Sequence, residues 1–466
     1  MAFSLTGALG FVIVPFFYTG RESNSASYDK PTGVHRRLVE FFLNNRRRVR
    51  FYFKVEPEFK QEKKASAVAH ITRVQIMPSE PSVKTNFKII FALTLVHFTG
   101  DFYSAVINPL FPLFVEKLNL SLAQVGIIAG MVRLLAFIVQ PSVGYLADRY
   151  QTRGFLLGGL LLTVVFIPLS GIAPSFWTLL PCIAVGSIGS AMFHPSVTGM
   201  VPLYAGRSAG LSMSIFNTGG TLAFAVGPLF ITWYAANFGL EAVPGTMVIG
   251  LAVAAFLYFV VPQPQSEGLQ KMGFWGTLRE TLGPAAKPIF LIWVVMVLRA
   301  AVGQSFLTFM PVLYVSKGYS LVSAGLMFSL FTLAGTISGI FCGHISDRIG
   351  FKPIFLFTHA LMIPALILLL YLPGSWVYPG AALAGFFTLA TLPLGVVMAQ
   401  ALAPRGRSMV ASLMMGFAYG LGGFISPLVG KMADLFSIER VLLVVALIPL
   451  FSFSLIFKFP EVKRGL

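Results

Sequence analysis

A carboxylate with an imidazole on the same helical face is the first pattern in this chain that could do chemistry. His97, Asp101, Ser104 and Asn108 are separated by four, three and four residues, a spacing that aligns them along one side of a helix. They lie inside an apolar run near residues 86–115. An ionisable group at the centre of a bilayer costs about 2.5–3.5 kcal/mol on insertion scales, so its presence asks for a function or a partner. Arg133 reaches a similar depth in the next, oppositely directed run near 121–147. The expectation is an Asp101–Arg133 pair with His97 beside it, in which a carboxylate alternates between charged and neutral forms and so carries protons. A purely structural salt bridge is the alternative.

A second group belongs to substrate recognition. Arg299 stands in the middle of the run near 286–315 with Gln304 close by, and the apolar runs of that half of the chain contain no acidic residue. If Asp101 neutralises Arg133, Arg299 is left unmatched. An unmatched guanidinium facing a water-filled cavity suits a carboxylate, phosphate or phosphonate, because its planar fork donates two parallel hydrogen bonds. An anionic or zwitterionic substrate is therefore expected, with neutral or cationic amphiphiles as the alternative. Asn108, Asn217 and His194 join Arg299 and Gln304 as candidate substrate contacts. For Asn217, followed by Gly219-Gly220, a packing notch is an equal reading. For His194, followed by Pro195, proton transfer and a local hydrogen bond across the proline-loosened backbone are equal readings. His359 and Gln400 are weaker candidates.

The elements that must hold these residues follow from composition. The chain has 466 residues, of which 56% are hydrophobic and only 11% charged, with a mean hydropathy of +0.80. Soluble proteins carry about 25% charged residues, so this surface is built for lipid. The net charge of +17 does not imply a nucleic-acid partner. Residues 1–85 hold 14 Lys/Arg and 7 Asp/Glu, and nearly all other basic residues fall between apolar runs. Twelve runs are long enough to span a bilayer: near 86–115, 121–147, 154–173, 176–202, 208–236, 243–262, 286–315, 320–345, 353–372, 375–402, 408–431 and 440–459. Residues 263–285 read as a linker between two six-helix halves, 86–262 and 286–466. Residues 1–85 read as a basic extension, with Met77 as an alternative start.

One side carries Lys88, Arg149, Arg153, Arg207, Lys271, Arg279, Lys287, Arg348, Lys352, Arg405, Arg407, Lys458, Lys463 and Arg464; the other carries only Lys117, Lys317, Lys431 and Arg440. The basic side is expected to be cytoplasmic, with both ends of the helical domain there. The two cysteines, Cys182 and Cys342, sit in apolar runs and read as buried thiols. No phosphate-binding G-x-x-x-x-G-K-[ST] loop, H-E-x-x-H or G-x-S-x-G occurs. Neither ATP-driven transport through this chain nor intramembrane hydrolysis is expected, nor any cofactor or metal.

The two halves repeat. Ser121-Leu-Ala-Gln-Val-Gly126 and Gly144-Tyr-Leu-Ala-Asp148-Arg149 recur 199 residues later as Ser320-Leu-Val-Ser-Ala-Gly325 and Gly343-His-Ile-Ser-Asp347-Arg348. Pro112 and Pro311, and Pro228 and Pro427, keep the same offset. Parallel repeats of six helices are one known architecture of secondary transporters. In the Gly-x-x-x-Asp-Arg elements, Gly144 and Gly343 would admit a neighbouring helix. Asp148 and Asp347 would sit at a helix N-terminus of the other half. Arg149 and Arg348 would reach carboxylates and lipid phosphates. The set reads as a conformational latch; a topology-setting charge cluster is the alternative.

These segments resemble the major facilitator superfamily. A closer resemblance, from about residue 86 onward, is to its fosmidomycin-resistance branch. It rests on His97-Phe-Thr-Gly-Asp-Phe-Tyr103, Gln140–Arg149, Gly189-Ser-Ala-Met-Phe-His-Pro-Ser-Val197 and Gly206–Pro228. The resemblance implies an all-α membrane fold of twelve helices in two six-helix repeats, and export of a small molecule by proton antiport. Uptake of an organic anion and a non-transporting receptor are the competing functions. Protons, a small-molecule substrate and the lipid bilayer of the plasma (inner) membrane are the expected partners, with a monomer as the working unit. Two departures from the branch stand out: Ser196 where an acidic residue commonly follows Phe-His-Pro, and Arg133 where relatives carry a polar amide. A proton-carrying carboxylate at 196 is thereby ruled out here.

Overall fold

A computed structural model describes residues 84–149, 153–206, 209–263, 282–403, 410 and 413–460, all within the unit Pro78–Leu466. Most of the basic extension and of the linker lie outside these residues. The first half contains α1 (Phe87–Leu118), α2 (Leu122–Arg149), α3 (Gly154–Ile172), α4 (Phe176–Ala205), α5 (Ala209–Phe238) and α6 (Leu240–Val260). The second contains α7 (Ala286–Ser316), α8 (Leu321–Ile349), α9 (Phe351–Tyr371), α10 (Gly374–Leu402), a segmented α11 and α12 (Ile438–Ile456). Among the described residues, eleven helices are long and apolar enough to cross a membrane. The twelfth, α11, is assembled end to end from a π turn, Leu413–Phe417, and two helical pieces, Ala418–Gly423 and Ser426–Phe436.

Helix is the only local structure that lets such apolar segments satisfy their backbone in hydrocarbon without pairing to a neighbour. Phe259, Trp177, Val248, Ile340 and Phe451 are exposed on the outside of the bundle, as a lipid-facing shell requires. The helices begin where sequence signals say they should. Ser121 Oγ accepts from the Gln124 amide at 3.2 Å while Gln124 Oε1 accepts from the Ser121 amide at 2.9 Å, a capping box that starts α2. Ser320 caps α8 in the same place of the repeat, accepting from the Ser323 amide at 3.1 Å.

The repeat is visible in contacts. Lys117 donates to the Gly171 carbonyl at 3.1 Å and pairs with Glu241 at 2.8 Å. Lys317 donates to the Leu370 carbonyl at 2.7 Å and pairs with Glu439 at 3.2 Å. The halves meet along two seams, α2 against α11 and α8 against α5. In the first, Gly126 presses on the backbone of Ser426 and Pro427, and in the second Gly325 presses on Pro228 and Thr232. The glycines and prolines that share an offset in sequence are thus partners across the seams. Their lack of side chain lets the helix backbones touch.

These tight contacts lie toward the end of the bundle opposite the linker. Toward the linker end, Gly199, Gly343 and Gly416 have nothing within 4 Å of an added Cβ. The expectation for Gly343 is corrected: it is not a close-packing notch in this arrangement, because the helices part at that end. Arg348 is exposed. The surroundings of Gly144 and the side chains of Asp148, Arg149 and Asp347 fall outside what is described.

Candidate functional site

The centre of the first half is built by α1, α4 and α5. Asp101, 5% exposed, sits between two imidazoles: its Oδ2 lies 3.2 Å from His97 Nε2 and its Oδ1 2.9 Å from His194 Nε2. His97 is one turn earlier on α1, as its spacing predicts; His194 reaches across from α4. Each ring is fixed from behind. His97 Nδ1 bonds the Phe216 carbonyl at 3.0 Å, and His194 Nδ1 bonds the Ser190 carbonyl at 2.7 Å. Phe216 stacks on His97 and Phe193 on His194, each at 4.2 Å between ring centroids. Space for the cluster comes from Gly220 of α5. A Cβ there would lie 2.6 Å from Asp101 Oδ2 and 2.7 Å from His97 Nε2. Of the Asn217–Gly220 segment, then, the glycines form the packing notch, while Asn217 itself is exposed.

The hydrogen-bond pattern sets the proton inventory. A carbonyl oxygen only accepts, so both Nδ1 atoms carry hydrogen. In a neutral imidazole Nε2 is then a lone pair, and a lone pair facing a carboxylate oxygen is repulsive. Each Nε2···Oδ gap therefore calls for a proton. The three ligand atoms lie within 4.8 Å of one another, close enough to share a small cation. His194, with 28% of its side chain exposed against 12% for His97 and 7% for Asp101, is the member nearest to solvent.

Two expectations change here. Asp101 does not pair with Arg133, and His194 belongs with the carboxylate, where its Nε2 faces Asp101 Oδ1. Matching the depths of Asp101 and Arg133 left out rotation about the helix axis. Arg133 points from α2 to the other half, packing its stem over Gly423 and placing its guanidinium 5.4 Å from the Tyr419 ring of α11. No acidic side chain pairs with it among the described residues. Asn108 lies past a break in α1 at Val106 and makes no hydrogen bond to the cluster. Ser104 instead bonds Ser190 at 2.9 Å, tying α1 to α4.

Arg299 of α7 meets the same tyrosine from the second half, its guanidinium 5.7 Å from the ring. It is 1% exposed, which corrects the expectation of a guanidinium facing a water-filled cavity: the surrounding helices enclose it. Nη1 donates to the Thr388 carbonyl at 3.2 Å, whereas Nε and Nη2 have no partner among the described residues. These two nitrogens form one edge of the guanidinium, the edge that grips two oxygens side by side. Thr388 Oγ1 is buried and unpartnered too, as is His359 Nε2, within electrostatic reach of Arg299. Gln304 is buried one turn away. Tyr419 escaped the sequence reading because a single tyrosine in an apolar run carries no charge signal. Arg133 had one: Gly126, Gly130, Arg133 and Phe137 recur every three or four residues and all meet α11.

Comparisons with known proteins fit this geometry. The chain is 27% identical over 390 residues to the fosmidomycin resistance protein of Escherichia coli K12, covering 81% of this chain and 94% of that protein. It is 25% identical over 321 residues to the multidrug resistance protein MdtG of Proteus mirabilis, covering 65% and 77%. Among solved structures it is similar to an inward-facing, unoccupied bacterial homologue of the human lysosomal transporter Spinster. The TM-score is 0.68 at 17% identity, over 82% of this chain and 98% of that one. The nucleoside transporter NupG matches with a TM-score of 0.65 at 13% identity, over 80% and 98%. The Major Facilitator Superfamily profile matches residues 93–427. With two six-helix repeats, a buried ionisable cluster in one half and an unmatched guanidinium in the other, the chain belongs to the Major Facilitator Superfamily, as a multi-pass membrane transporter of small molecules resembling its fosmidomycin-resistance branch.

Proposed function

We propose that the chain is a proton-coupled exporter of a small organic anion, working by alternating exposure of a central site to the two faces of the inner membrane. The observation that carries this reading is the Asp101 carboxylate held between two histidines whose Nδ1 atoms are already committed to carbonyls. Protons in the Nε2 gaps make the cluster cohesive; their loss sets lone pairs against a carboxylate. Helices α1 and α4 then gain a reason to separate, which converts a proton count into a shape. His194, the more exposed member, is where protons enter and leave.

The anion docks on the unpartnered Nε/Nη2 edge of Arg299, reached when the enclosing helices part. Arg133 adds a second positive charge from the opposite half, and Tyr419 shields the two cations from each other. The basic loops face the cytoplasm, together with both ends of the helical domain. Asp148-Arg149 and Asp347-Arg348 close that face in the opposite conformation, and one copy of the chain is sufficient. The named efflux relatives support export over uptake, since drug resistance of the kind in their names is served by removing a compound from the cell.

A growth screen of overexpressing and deleted cells, spanning carboxylates, phosphonates and lipophilic cations, identifies the cargo. Flux of that compound in proteoliposomes is then measured with and without a pH gradient. Flux accelerated by protons moving the other way supports antiport, and loss of that acceleration in Asp101→Asn assigns it to the cluster. Co-directional movement of proton and anion would make the protein an uptake symporter, and gradient-independent flux a facilitator. No flux of any resisted compound would leave a receptor-like protein.

A further inference from the structure

The two seams that join the halves share the Gly126/Gly325 and Pro228/Pro427 contacts, but among the described residues a carboxylate crosses only one of them. On α11, Asp434 accepts hydrogen bonds from the backbone amides of Leu122 and Ala123, at 2.7 Å and 2.9 Å. These are the first two amides of α2, in the other half of the protein. Ser121 takes the third, that of Gln124. The carboxylate therefore completes the cap of α2 and sits where the helix dipole favours negative charge. One residue layer inward, Gly430 packs on the backbone of Leu122 and Ala123. The 199-residue offset carries Asp434 onto Ala235 of α5, opposite the start of α8. Ala235 has no acceptor on its side chain, so its seam is held by packing and by a bond from Thr332 Oγ1 to the Phe224 carbonyl at 3.1 Å.

We propose that Asp434 is a one-sided latch: by capping α2 from the opposite half, it holds closed the face of the transporter away from the linker. A contact confined to one half would only stabilise that half. This one spans the two bodies, and opening that face between α2 and α11 must withdraw the carboxylate and leave both amides uncapped. The α5–α8 seam, without a carboxylate, serves as the pivot. The direction of bias follows: removing the latch favours the state open on that face, whichever compound is carried.

Spin labels on Glu116→Cys of α1 and Leu435→Cys of α11, both exposed, report the separation of the halves there. The background carries Cys182→Ser and Cys342→Ser, and distances are measured by pulsed electron resonance on the purified full chain, with no substrate needed. A cap of this kind is worth about 1–2 kcal/mol, so Asp434→Ala should raise the ratio of long to short distances roughly 5- to 30-fold. Leu122→Pro tests the donor side. Proline is well tolerated at the first position of a helix and deletes one of the two amides. It should shift the distances in the same direction, by less. Because both variants break one contact, the double variant should match Asp434→Ala alone. Unchanged distances in Asp434→Ala, or a double variant equal to the sum of the singles, would overturn the latch. Since no flux is measured, neither result depends on the coupling ion or the cargo.

Discussion

In the first half, the central carboxylate has a nitrogen for each oxygen, and each imidazole has an acceptor behind it. In the second half, among the described residues, the central guanidinium uses one of its three nitrogens, and the Thr388 hydroxyl and His359 Nε2 near it likewise have no partner. Both centres are buried in the same kind of apolar bundle, so the contrast is not one of environment. On the proposed mechanism, the satisfied cluster is cohesive only while its protons stay, so a change in its proton count becomes a change in geometry. An unsatisfied one has binding energy in reserve, since leaving a charged donor without a partner costs about 1–3 kcal/mol or more until a ligand supplies the acceptor. The halves share one repeated scaffold, and their central polar residues are satisfied to opposite degrees.

The most damaging way to probe the contrast is to fill the space behind the satisfied cluster. Gly220→Val should push α5 off Asp101 and His97, with transport abolished and a loss of about 1–3 kcal/mol in stability typical of overpacking. Thermal unfolding of the purified protein reads this directly, and an unchanged unfolding temperature would mean that α5 does not enclose the cluster. Next in size is the loss of coupling in Asp101→Asn. An amide still hydrogen-bonds an imidazole, so the fold should persist while proton-driven flux falls at least about tenfold, the equivalent of one lost charge-assisted bond.

The second half should answer in the opposite sense when its charge is removed. Arg299→Met relieves an unmatched buried cation, so the ligand-free protein should become more stable, by about 1–4 kcal/mol on the scale of buried charges replaced by apolar side chains. Anion affinity should fall about 10- to 100-fold at the same time, the scale of one or two lost charge-assisted bonds. Arg299→Lys should bind almost as poorly, because the ammonium lacks the two-pronged edge. A destabilised Arg299→Met would show that the guanidinium is matched in a way the two halves share, and the contrast would collapse. The smallest effect is expected at Gly343. With open space around it, Gly343→Ala should stabilise α8 by up to about 1 kcal/mol through helix propensity alone. A loss of stability there would mean that the linker end is normally closed.

Most of the scaffold was legible as sequence. Apolar run lengths gave twelve helices within a few residues, and the 199-residue offset identified the glycines and prolines that turn out to face each other across the seams. His97 and Asp101 were readable because both lie on one helix, where spacing fixes direction. His194 was not assigned to Asp101 because the rotation of α4 against α1 is set by packing: Phe193 fills the space beside Gly100, and Ser104 bonds Ser190. The Asp101–Arg133 pairing failed for the same reason. Depth in the bilayer is encoded along the chain, whereas azimuth is encoded by which small residues line a face. The stripe through Gly126, Gly130 and Phe137 points Arg133 at α11.

The π turn at Leu413–Phe417 ends two residues before Tyr419. Such a turn holds one residue more than the α-helical period, and each α-helical residue accounts for about 100° of rotation. Were the turn to tighten into regular α-helix, the residue released would swivel Tyr419 around the axis of α11 by about that angle. The aromatic ring shared by Arg133 and Arg299 would be turned aside like a key, and the two cations would face each other without a screen. Gly420 and Gly423 ride on the same helical piece, against Phe137 and Arg133 of α2, so that one rewound turn would move this stretch of the seam together with the ring.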